Sequence, residues 1–406
     1  MSINAHDLAS PNANPMAAEI PWHDTKRYAW LLGLLVPAIP FGAGILYALT
    51  GWGISWWYGP ILIFVIFPFI DTAAGLDGHN PPTSLIDWLE QDKYYRRITY
   101  MYLPIQYASL VWACWVWAYS DISTIDKVGL AFTVAMVSGI AIAVAHELGH
   151  KKPKLERWLA KIALAETFYG HFFIEHNRGH HVRVSTPEDP ASARMRESFY
   201  AFWPRTVFGS LRSAWRLESE RFARMGKSKW TIKNDILNAW LMSIALFAVL
   251  CAVFGIEILP YLVIQAIVGF SLLEVVNYLE HYGLLRRHKE DGRYERCLAT
   301  HSWNSDNKWS NIFLYHLQRH SDHHANPTRR YQALMHVEEA PQLPSGYATM
   351  IVAAICPPVW FAVMDKRLVA HYDGDVTRAN INPRARKRVL RKWGSPDGET
   401  AARGAA

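Results

Sequence analysis

The sequence predicts an all-α polytopic membrane protein with six transmembrane helices and a histidine-rich cap on the cytoplasmic side. Apolar residues are gathered into long blocks separated by charged stretches, and hydrophobic residues make up 51% of the 406 residues. Aromatic residues account for 13%, which suits helices belted by Trp and Tyr at the membrane interfaces. Nine histidines fall in four short stretches near the ends of these blocks. We interpret residues 1–406 as a single integral-membrane domain.

Six apolar segments are long enough to cross a hydrocarbon core of about 30 Å, which takes about 20 helical residues. They are residues 28–50, 54–73, 99–119, 128–145, 236–256 and 259–279. The loops after the first, third and fifth are short and nearly free of Lys and Arg, whereas basic residues flank the opposite ends. The positive-inside rule therefore predicts that both termini are cytoplasmic. The N-terminus lacks the basic region and cleavage site of a signal peptide.

Other segments are predicted to enter or line the membrane without crossing it. Residues 347–364 carry Pro357 and Pro358, which leave helix backbone groups unpaired in lipid, so we expect a re-entrant or interfacial segment. If it crossed, the basic stretch 384–392 would lie outside. Residues 155–169 and 199–222 are expected to form helices in the headgroup plane. Residues 394–406 are expected to be a disordered tail.

Charge and cysteine content exclude two classes of function. The formal net charge is +7, but the basic residues flank apolar segments, so nucleic acid is not the expected partner. The four cysteines are scattered with no CxxC pair, which excludes a disulfide framework and a thiolate metal site. They are Cys114, Cys251, Cys297 and Cys356. An electron carrier, if one is needed, must be a separate protein.

The nine histidines lie in the motifs HELGHK, EHNRGHH, NYLEHYG and LQRHSDHHA. They are His146 and His150, then His176, His180 and His181, then His281, and finally His320, His323 and His324. A single HxxxH pair or a lone histidine is common without any metal. Here the charge-derived topology places all nine on one side of the bilayer, and this convergence predicts metal binding.

Helical spacing orients these side chains. His146 and His150 lie four apart and project from one face of a helix. His176 and His180 share a face on a regular helix, whereas His181 points about 140° away. It therefore reaches a different ion, or the local backbone is not helical. The third motif places its three histidines at i, i+3 and i+4 on one face.

The number of donors predicts two ions. One ion takes at most six ligands and a catalytic ion keeps a position open, so nine imidazoles imply two ions with four or five each. Imidazole suits Fe, Zn, Cu and Ni, and the absence of thiolate makes copper(I) and structural zinc less attractive. A dinuclear site beneath an apolar bundle suggests O2 activation on an apolar substrate.

Carboxylates beside the motifs are expected to accept the second ring N–H of the ligands. These candidates are Glu147, Glu175, Asp189, Glu280 and Asp322. Glu280, next to His281, is the one that could itself become a ligand. His171 and His316 are weaker candidates for additional ligands. The remaining histidines are assigned to surface or loop positions: His6, His23, His79, His288, His301, His336 and His371.

The histidine motifs resemble those of the bacterial membrane alkane 1-monooxygenases, also called alkane omega-hydroxylases. HELGHK, EHNRGHH and LQRHSDHHA alone resemble the wider superfamily of membrane fatty-acid desaturases and hydroxylases. The EHYG context of His281 narrows the resemblance to the alkane enzymes. The similarity extends over nearly the whole chain, including GWG before the second segment, NPP at Asn80 and SWNS at Ser302.

The resemblance implies two non-haem Fe ions held by the nine histidines. It also implies oxidation of the terminal methyl group of medium- or long-chain n-alkanes to 1-alkanols in the inner membrane, with O2 as the oxidant. Rubredoxin, reduced by rubredoxin reductase, would supply the electrons. Membrane lipid would surround the helices, and the alkane would enter from the bilayer. Ile63, Phe64 and Phe67 of the second segment are candidates to limit chain length, although ordinary lipid-facing or packing roles are the simpler interpretation.

Two alternatives remain open at this point. A fatty-acyl desaturase or a fatty-acid or xylene hydroxylase would share the three common motifs but act on another substrate. A metal transporter would place ionisable residues near the bilayer midplane. The apolar segments are almost free of His, Asp and Glu until their histidine-bearing ends.

Overall fold

The computed structural model describes residues 22–394 of the chain. Within that range the protein is helical, and backbone pairing outside the helices is confined to isolated bridges. The all-α prediction is therefore confirmed. The predicted tail lies outside the described residues apart from Gly394.

The helices fall into an N-terminal and a C-terminal half. The first half contains α1 Ile39–Thr50, α2 Gly53–Ala74, α3 Ile86–Gln91, α4 Lys93–Tyr119, α5 Thr124–Gly149 and α6 Lys154–Ala165. The second half contains α7 Phe199–Arg224, α8 Asp235–Phe254, α9 Leu259–Glu280, α10 Lys308–Phe313, α11 His320–Ala325, α12 Tyr347–Ile355, α13 Pro357–His371 and α14 Arg386–Trp393. A 3-10 helix, Ala29–Leu35, precedes α1, and a π-helix, Glu175–His180, follows α6.

The number of membrane spans is smaller than the six predicted if length and composition alone are counted. Four helices qualify: α2, α5, α8, and α9 with its preceding 3-10 turn. A fifth is added if Ala29–Leu35 and α1, which meet at 63°, form one broken span. The predicted third span is α4, which is 27 residues long. It is more polar than the others because its first turns carry Lys93, Arg96 and Arg97.

Helix α5 is the centre of the bundle, since 83% of its most apolar window is buried. Ser123 caps its start by accepting a hydrogen bond from the backbone N–H of Asp126 at 3.2 Å. A Cβ built on Gly139 would lie 2.8 Å from the carbonyl oxygen of Gly269 in α9. Small residues thus allow the two helix backbones to approach closely, as in other membrane bundles. α5 and α9 end at His146–His150 and His281, and we call this end of the bundle the histidine end.

Helix α6, predicted to lie in the headgroup plane, packs one face on the bundle and exposes Leu155 and Trp158 on the other. Lys161 Nζ contacts Asp235 Oδ1 at the start of α8 at 2.5 Å. Glu166, just beyond α6, accepts a hydrogen bond from Gln106 in the middle of α4, and its carbonyl accepts one from Gln265 in α9 at 2.8 Å. The buried polar residues of this segment therefore find their partners inside the protein, and its position in the headgroup plane stays a prediction.

Helices α12 and α13 form a pair that enters from the histidine end and returns to it. The hydroxyl of Tyr347, the first residue of α12, donates to Glu280 at 2.9 Å. The chain breaks at Cys356, where Pro357 begins α13. Asp365 in α13 then accepts a hydrogen bond from Tyr282, beyond the end of α9, at 2.8 Å. Both ends of the pair thus lie at the histidine end, and its re-entrant or interfacial placement stays a prediction.

Candidate metal centre

The nine motif histidines converge at the histidine end and separate into two groups. Within each group, one donor atom per residue lies within 4.8 Å of every other. The first group is His146, His150, His176, His181 and His323. The second group is His180, His281, His320 and His324.

The first pair of histidines stands on regular helix. α5 continues to Gly149, and His150 follows with helical backbone angles, φ −79° and ψ −11°. The ring centroids of His146 and His150 are 5.0 Å apart. Since side chains four apart stack on one face, both reach the first group.

The second motif divides between the groups because its backbone is a π-helix. The N–H of His181 donates to the carbonyl of His176, five residues earlier. This wider turn brings His176 and His181 into the first group and directs His180 to the second. The regular-helix expectation that His176 and His180 serve together does not describe this arrangement. The alternative expectation, a local backbone that is not a regular helix, does describe it. Such π-turns occur frequently at functional sites.

The third motif also serves both groups. On α11, His320 and His324 lie four apart and face each other with their Nε2 atoms 3.0 Å apart. His323 turns instead towards His146, with ring centroids 4.2 Å apart. Ser321 is held by Asn304, whose Oδ1 accepts its backbone N–H at 2.9 Å and whose Nδ2 donates to its hydroxyl at 2.6 Å. α11 thus lies between the two groups and connects them.

Facing ring nitrogens are spaced as ligands of a shared ion would be. Nε2 of His181 lies 3.1 Å from Nε2 of His176 and 3.0 Å from Nε2 of His323. The 3.0 Å pair of His320 and His324 repeats this spacing in the second group. With metal–nitrogen bonds of about 2.1 Å, two ligand atoms at a right angle lie about 3 Å apart. The donors therefore fit around a metal ion.

Several ring nitrogens are buried without a partner. Nε2 of His146, His150 and His180 makes no hydrogen bond within residues 22–394, and such an atom costs about 1–3 kcal/mol. Burial, reinforced by neighbouring imidazoles, lowers the pKa of His176 and His181 well below its ordinary value. These imidazoles are neutral near pH 7, which is the form that binds metal ions.

Two histidines of the second group are oriented through their other nitrogen. His180 Nδ1 lies 2.9 Å from Asp189 Oδ2, which also accepts the hydroxyl of Ser192 at 2.6 Å. Burial raises the pKa of Asp189, but His180 and Ser192 outweigh it, and the pKa falls to about 2. His281 Nδ1 lies 3.1 Å from the carbonyl of His301. Both contacts direct Nε2 towards the group, as carboxylates and carbonyls do in metalloproteins.

Glu280 lies in direct contact with the second group. Its Oε2 is 3.2 Å from Nε2 of His320, and its other oxygen accepts the hydroxyl of Tyr347. Its side chain is 3% exposed, and among residues 22–394 no Lys or Arg forms an ion pair with it. A carboxylate in this position can act as an oxygen donor to an ion.

The other three carboxylates form pairs with basic side chains instead of imidazoles. Glu147, Glu175 and Asp322 make no hydrogen bond to a motif histidine ring within residues 22–394. Their partners are Lys151 at 3.0 Å, Arg183 at 2.6 Å and Arg329 at 2.7 Å, respectively. They fix the segments that carry the histidines without touching the rings.

Histidines outside the motifs occupy other sites. His171 and His316 belong to neither group; Nδ1 of His316 instead lies 2.9 Å from the carbonyl of Tyr331. His301, expected at the surface or in a loop, is only 5% exposed. Its backbone carbonyl lies 3.1 Å from Nδ1 of His281 and accepts the hydroxyl of Ser185 at 2.8 Å.

The comparison with known proteins identifies the family. A family model described as fatty acid desaturase matches residues 127–354. The chain is 48% identical to an alkane 1-monooxygenase of Acinetobacter baylyi over 92% of both chains. It is 44% identical to alkane 1-monooxygenase 1 of Alcanivorax borkumensis over 93% of both. It belongs to the alkane 1-monooxygenase family.

Family membership confirms the resemblance of the motifs, because the matched residues 127–354 enclose all nine histidines. The xylene/toluene monooxygenase hydroxylase component of Pseudomonas putida is a more distant relative. It is 28% identical over 60% of this chain and 65% of its own length.

In this family member an apolar cavity approaches the second group. Its walls come from α2, α5, α9, α10 and α12 and from the segment before α11. Val276 and Leu317 lie four residues before Glu280 and three before His320. Tyr347, which contacts Glu280, lines the same cavity. The only polar side chains in the lining are the hydroxyls of Tyr347 and Ser310.

The three candidate residues of the second predicted span differ in position. Ile63 and Phe67 line the cavity. Phe64 is absent from its lining and packs, half-buried, against the core formed by α9, α12 and α13. Ile63 lies in a π-helical stretch, Leu62–Ile66, which carries its side chain to the cavity.

The first group, by contrast, borders an open cationic cleft at the protein surface. His150 lines this cleft together with Lys152, Arg157 and Arg178. Lys152 and Arg157 are exposed, and His150 is only partly buried. The first group is thus accessible from water.

Sequence reasoning missed two residues of the centre. Asn304 lies in the SWNS motif, so its motif was noticed but not its contact with α11. Tyr347 opens the re-entrant segment and carried no sequence signal. Its role depends on a contact with Glu280, 67 positions away.

Proposed function

We propose that this protein is a membrane alkane 1-monooxygenase that oxidises the terminal methyl group of medium- or long-chain n-alkanes to 1-alkanols with O2. It holds two non-haem iron ions, one in each histidine group, and takes electrons from rubredoxin. One observation carries the proposal: two imidazole groups lie side by side, and an apolar cavity reaches the second of them through Tyr347, which contacts Glu280. The 48% identity to an alkane 1-monooxygenase supports it.

The nine motif histidines are the proposed ligands, five in the first group and four in the second. Glu280 is the proposed oxygen donor that completes the second group. Asp189 and the carbonyl of His301 hold two ligands in the tautomer that leaves Nε2 free.

When bound, iron supplies the O2-derived oxidant that an unactivated C–H bond requires, since that bond offers no acidic proton and no polar handle. The chain's own residues position the substrate and exclude water. Val276 and Leu317 surround the end of the alkane with hydrocarbon. Because one oxygen atom leaves as water, two electrons and two protons must arrive from outside.

The alkane dissolves in the bilayer and enters the cavity between helices. The walls of the cavity have almost no hydrogen-bonding groups, so moving a linear hydrocarbon from lipid into the cavity costs little free energy. Ile63 and Phe67 narrow this space and are proposed to limit chain length. Phe64 serves as a matched comparison because it lies on the same helix outside the cavity.

We propose six spans, counting the broken first segment and α4, with the histidine end in the cytoplasm of a cell with an inner membrane. Both ends of the described chain lie at the histidine end, which supports an even number of spans, and the positive-inside rule supports the cytoplasmic side. Trp30 packs against His316, with ring centroids 4.7 Å apart, and Asn380 donates to the carbonyl of Gly283. The cationic cleft beside His150 suits an acidic electron donor through electrostatic steering.

The experiment uses the purified protein in lipid nanodiscs with rubredoxin, its reductase, NAD(P)H and octane, decane or hexadecane. Gas chromatography should show 1-alkanol, and metal analysis should give about two irons per chain. Absence of 1-alkanol from an iron-loaded preparation would refute the proposal. Zinc in place of iron would refute the mechanism.

The distant similarity to a xylene/toluene monooxygenase component favours one other substrate class, the methyl groups of alkylaromatics. The same assay with p-xylene decides between them. Faster formation of the benzylic alcohol than of any 1-alkanol would make this the function instead.

A further inference from the structure

The C-terminal helix α14 carries a strongly basic surface that the proposed reaction does not use. Its sequence is RKRVLRKW, and Arg384 lies just before it. Six cations are exposed on it: Arg384, Arg386, Lys387, Arg388, Arg391 and Lys392. Ala385 and Val389 on the opposite face are buried. Leu390 and Trp393 pack, half-buried, against the same core. The helix is therefore firmly seated, and its cations point outwards.

These cations have no acidic partner within the described residues. No Asp or Glu occurs between Val376 and Gly394, and none of the six cations forms an ion pair within residues 22–394. Arg384 and Arg388, like Lys387 and Arg391, are four residues apart, a spacing at which like charges repel. Packing holds the helix against this repulsion. Among the described carboxylates, Asp365 interacts electrostatically with Arg388 and Lys392 but is itself paired with Arg196 at 2.6 Å, so an anion from another molecule would relieve the repulsion.

Helix α14 is attached at the level where the bundle leaves the membrane. Asn380, just before it, donates to the carbonyl of Gly283, two residues beyond His281. On the neighbouring α13, Val359 is an exposed apolar residue, whereas Lys366 and Arg367, two turns later, are exposed cations. A change from exposed apolar to exposed basic side chains along one helix is typical of the headgroup region.

We propose that α14, together with Lys366 and Arg367, binds the phosphate groups of anionic phospholipids in the adjoining leaflet. Arginine and lysine side chains bind phosphate through charge-assisted hydrogen bonds, and clustered basic residues next to a membrane are attracted to anionic lipid. The half-buried indole of Trp393 suits the same interface. The proposal depends on the membrane setting and not on the identity of the oxidised substrate.

An acidic protein is the competing occupant of a basic surface. The electron donor must approach the histidine groups, however, and the open cleft beside His150 contains no residue of α14. A lipid headgroup needs no route to the metal centre, and the adjoining exposed Val359 places lipid next to these cations. The surface thus favours phospholipid.

The test removes four charges in each of two variants. One variant carries Lys387→Gln, Arg388→Gln, Arg391→Gln and Lys392→Gln. The control carries Arg287→Gln, Lys289→Gln, Arg293→Gln and Arg296→Gln in an exposed loop that also contains Glu290 and Asp291. All eight residues are exposed, so both variants should fold, which circular dichroism checks.

The full-length proteins are titrated in detergent with phosphatidylglycerol or phosphatidylcholine, and bound lipid is counted by native mass spectrometry. The unchanged protein and the loop control should prefer phosphatidylglycerol. The α14 variant should bind it at least about 20-fold more weakly. Equal losses in both variants, or no preference in the unchanged protein, would overturn the proposal.

Two further arms separate the sources of negative charge. Inorganic phosphate at matched ionic strength should not displace phosphatidylglycerol; displacement would assign the site to free phosphate and overturn the proposal. If the α14 variant keeps its lipid preference but shows a raised KM for the reduced electron donor, the surface serves that protein instead. Neither readout depends on which substrate is hydroxylated.

Discussion

The two histidine groups use the same side chain in opposite surroundings. The first borders a cationic cleft open to water, and His150 and His181 in it are only partly buried. The second is fully buried, contains Glu280 at its edge and adjoins the apolar cavity. The same type of donor therefore borders an open cleft in the first group and an apolar cavity in the second. We expect electrons to enter at the first group and the substrate to bind beside the second.

The largest effect should come from removing a ligand from either group. His150→Ala and His324→Ala should each lower iron content by about one ion per chain and activity by more than about 100-fold. The reason is that a ligand to metal is lost outright. Iron analysis and 1-alkanol assays measure this. His288→Ala, an exposed histidine outside both groups, is the control and should behave like the unchanged protein. Full iron retention in both ligand variants would contradict the assignment of one ion to each histidine group.

A smaller effect is expected from the carboxylate that distinguishes the second group. Glu280→Gln keeps an acceptor for Tyr347 but removes the negative charge beside His320, and kcat should fall about 100-fold. Tyr347→Phe removes only the hydrogen bond to Glu280 and should cost about 10-fold. Both should keep the first group's iron. If Tyr347→Phe proved more harmful than Glu280→Gln, the carboxylate would not be the important partner.

Next in size is the residue that orients His180. Asp189→Asn keeps the shape of the side chain but replaces a carboxylate with a neutral amide, so iron affinity should fall about 10-fold. Equilibrium dialysis against a chelator measures this affinity. Asp322→Asn, which disturbs a pair with Arg329 and not an imidazole, serves as the matched comparison. We expect it to lower thermal stability more than iron affinity, and the reverse pattern would exchange the two roles.

The smallest effect is expected from a charge in the cationic cleft beside the first group. Lys152→Glu in the cleft should raise KM for an acidic electron donor about five-fold at low salt and leave kcat unchanged, because it reverses an exposed steering charge. The difference should shrink above about 0.5 M salt, where exposed charges are screened. Arg293→Glu, in an exposed loop away from the cleft, is the control. An equal rise in that variant would mean that overall charge, and not the cleft, governs the encounter.

Much of this architecture was accessible from sequence because it depends on local chemistry. Apolar blocks of about 20 residues predict spans whatever packs around them. The four histidine motifs predict metal binding because few other arrangements bring so many imidazoles together. Lys and Arg at one set of loops place the motifs on one side. The proline pair at Pro357 predicted the turn between α12 and α13, since proline interrupts helix backbone pairing in lipid.

Other features came only from tertiary structure. Motif spacing on a regular helix pairs His176 with His180, but a π-turn, stabilised by its surroundings, pairs His176 with His181. The amphipathic pattern of α6 does not reveal that Gln106 and Gln265 provide partners for Glu166 inside the bundle. Likewise, Ile63 and Phe64 are adjacent apolar residues of one segment, and only the packing shows that Ile63 lines the cavity and Phe64 does not.

The sequence by itself predicted which imidazoles come together at one end of the bundle, because ligand chemistry, hydropathy and charge are properties of residues. The tertiary structure decided how the nine histidines divide into groups of five and four, which carboxylate contacts the second group, and which group borders the open cleft. These depend on distances between segments far apart in the chain, such as His181 to His323 and Glu280 to Tyr347. No periodicity within a segment can specify contacts of that kind.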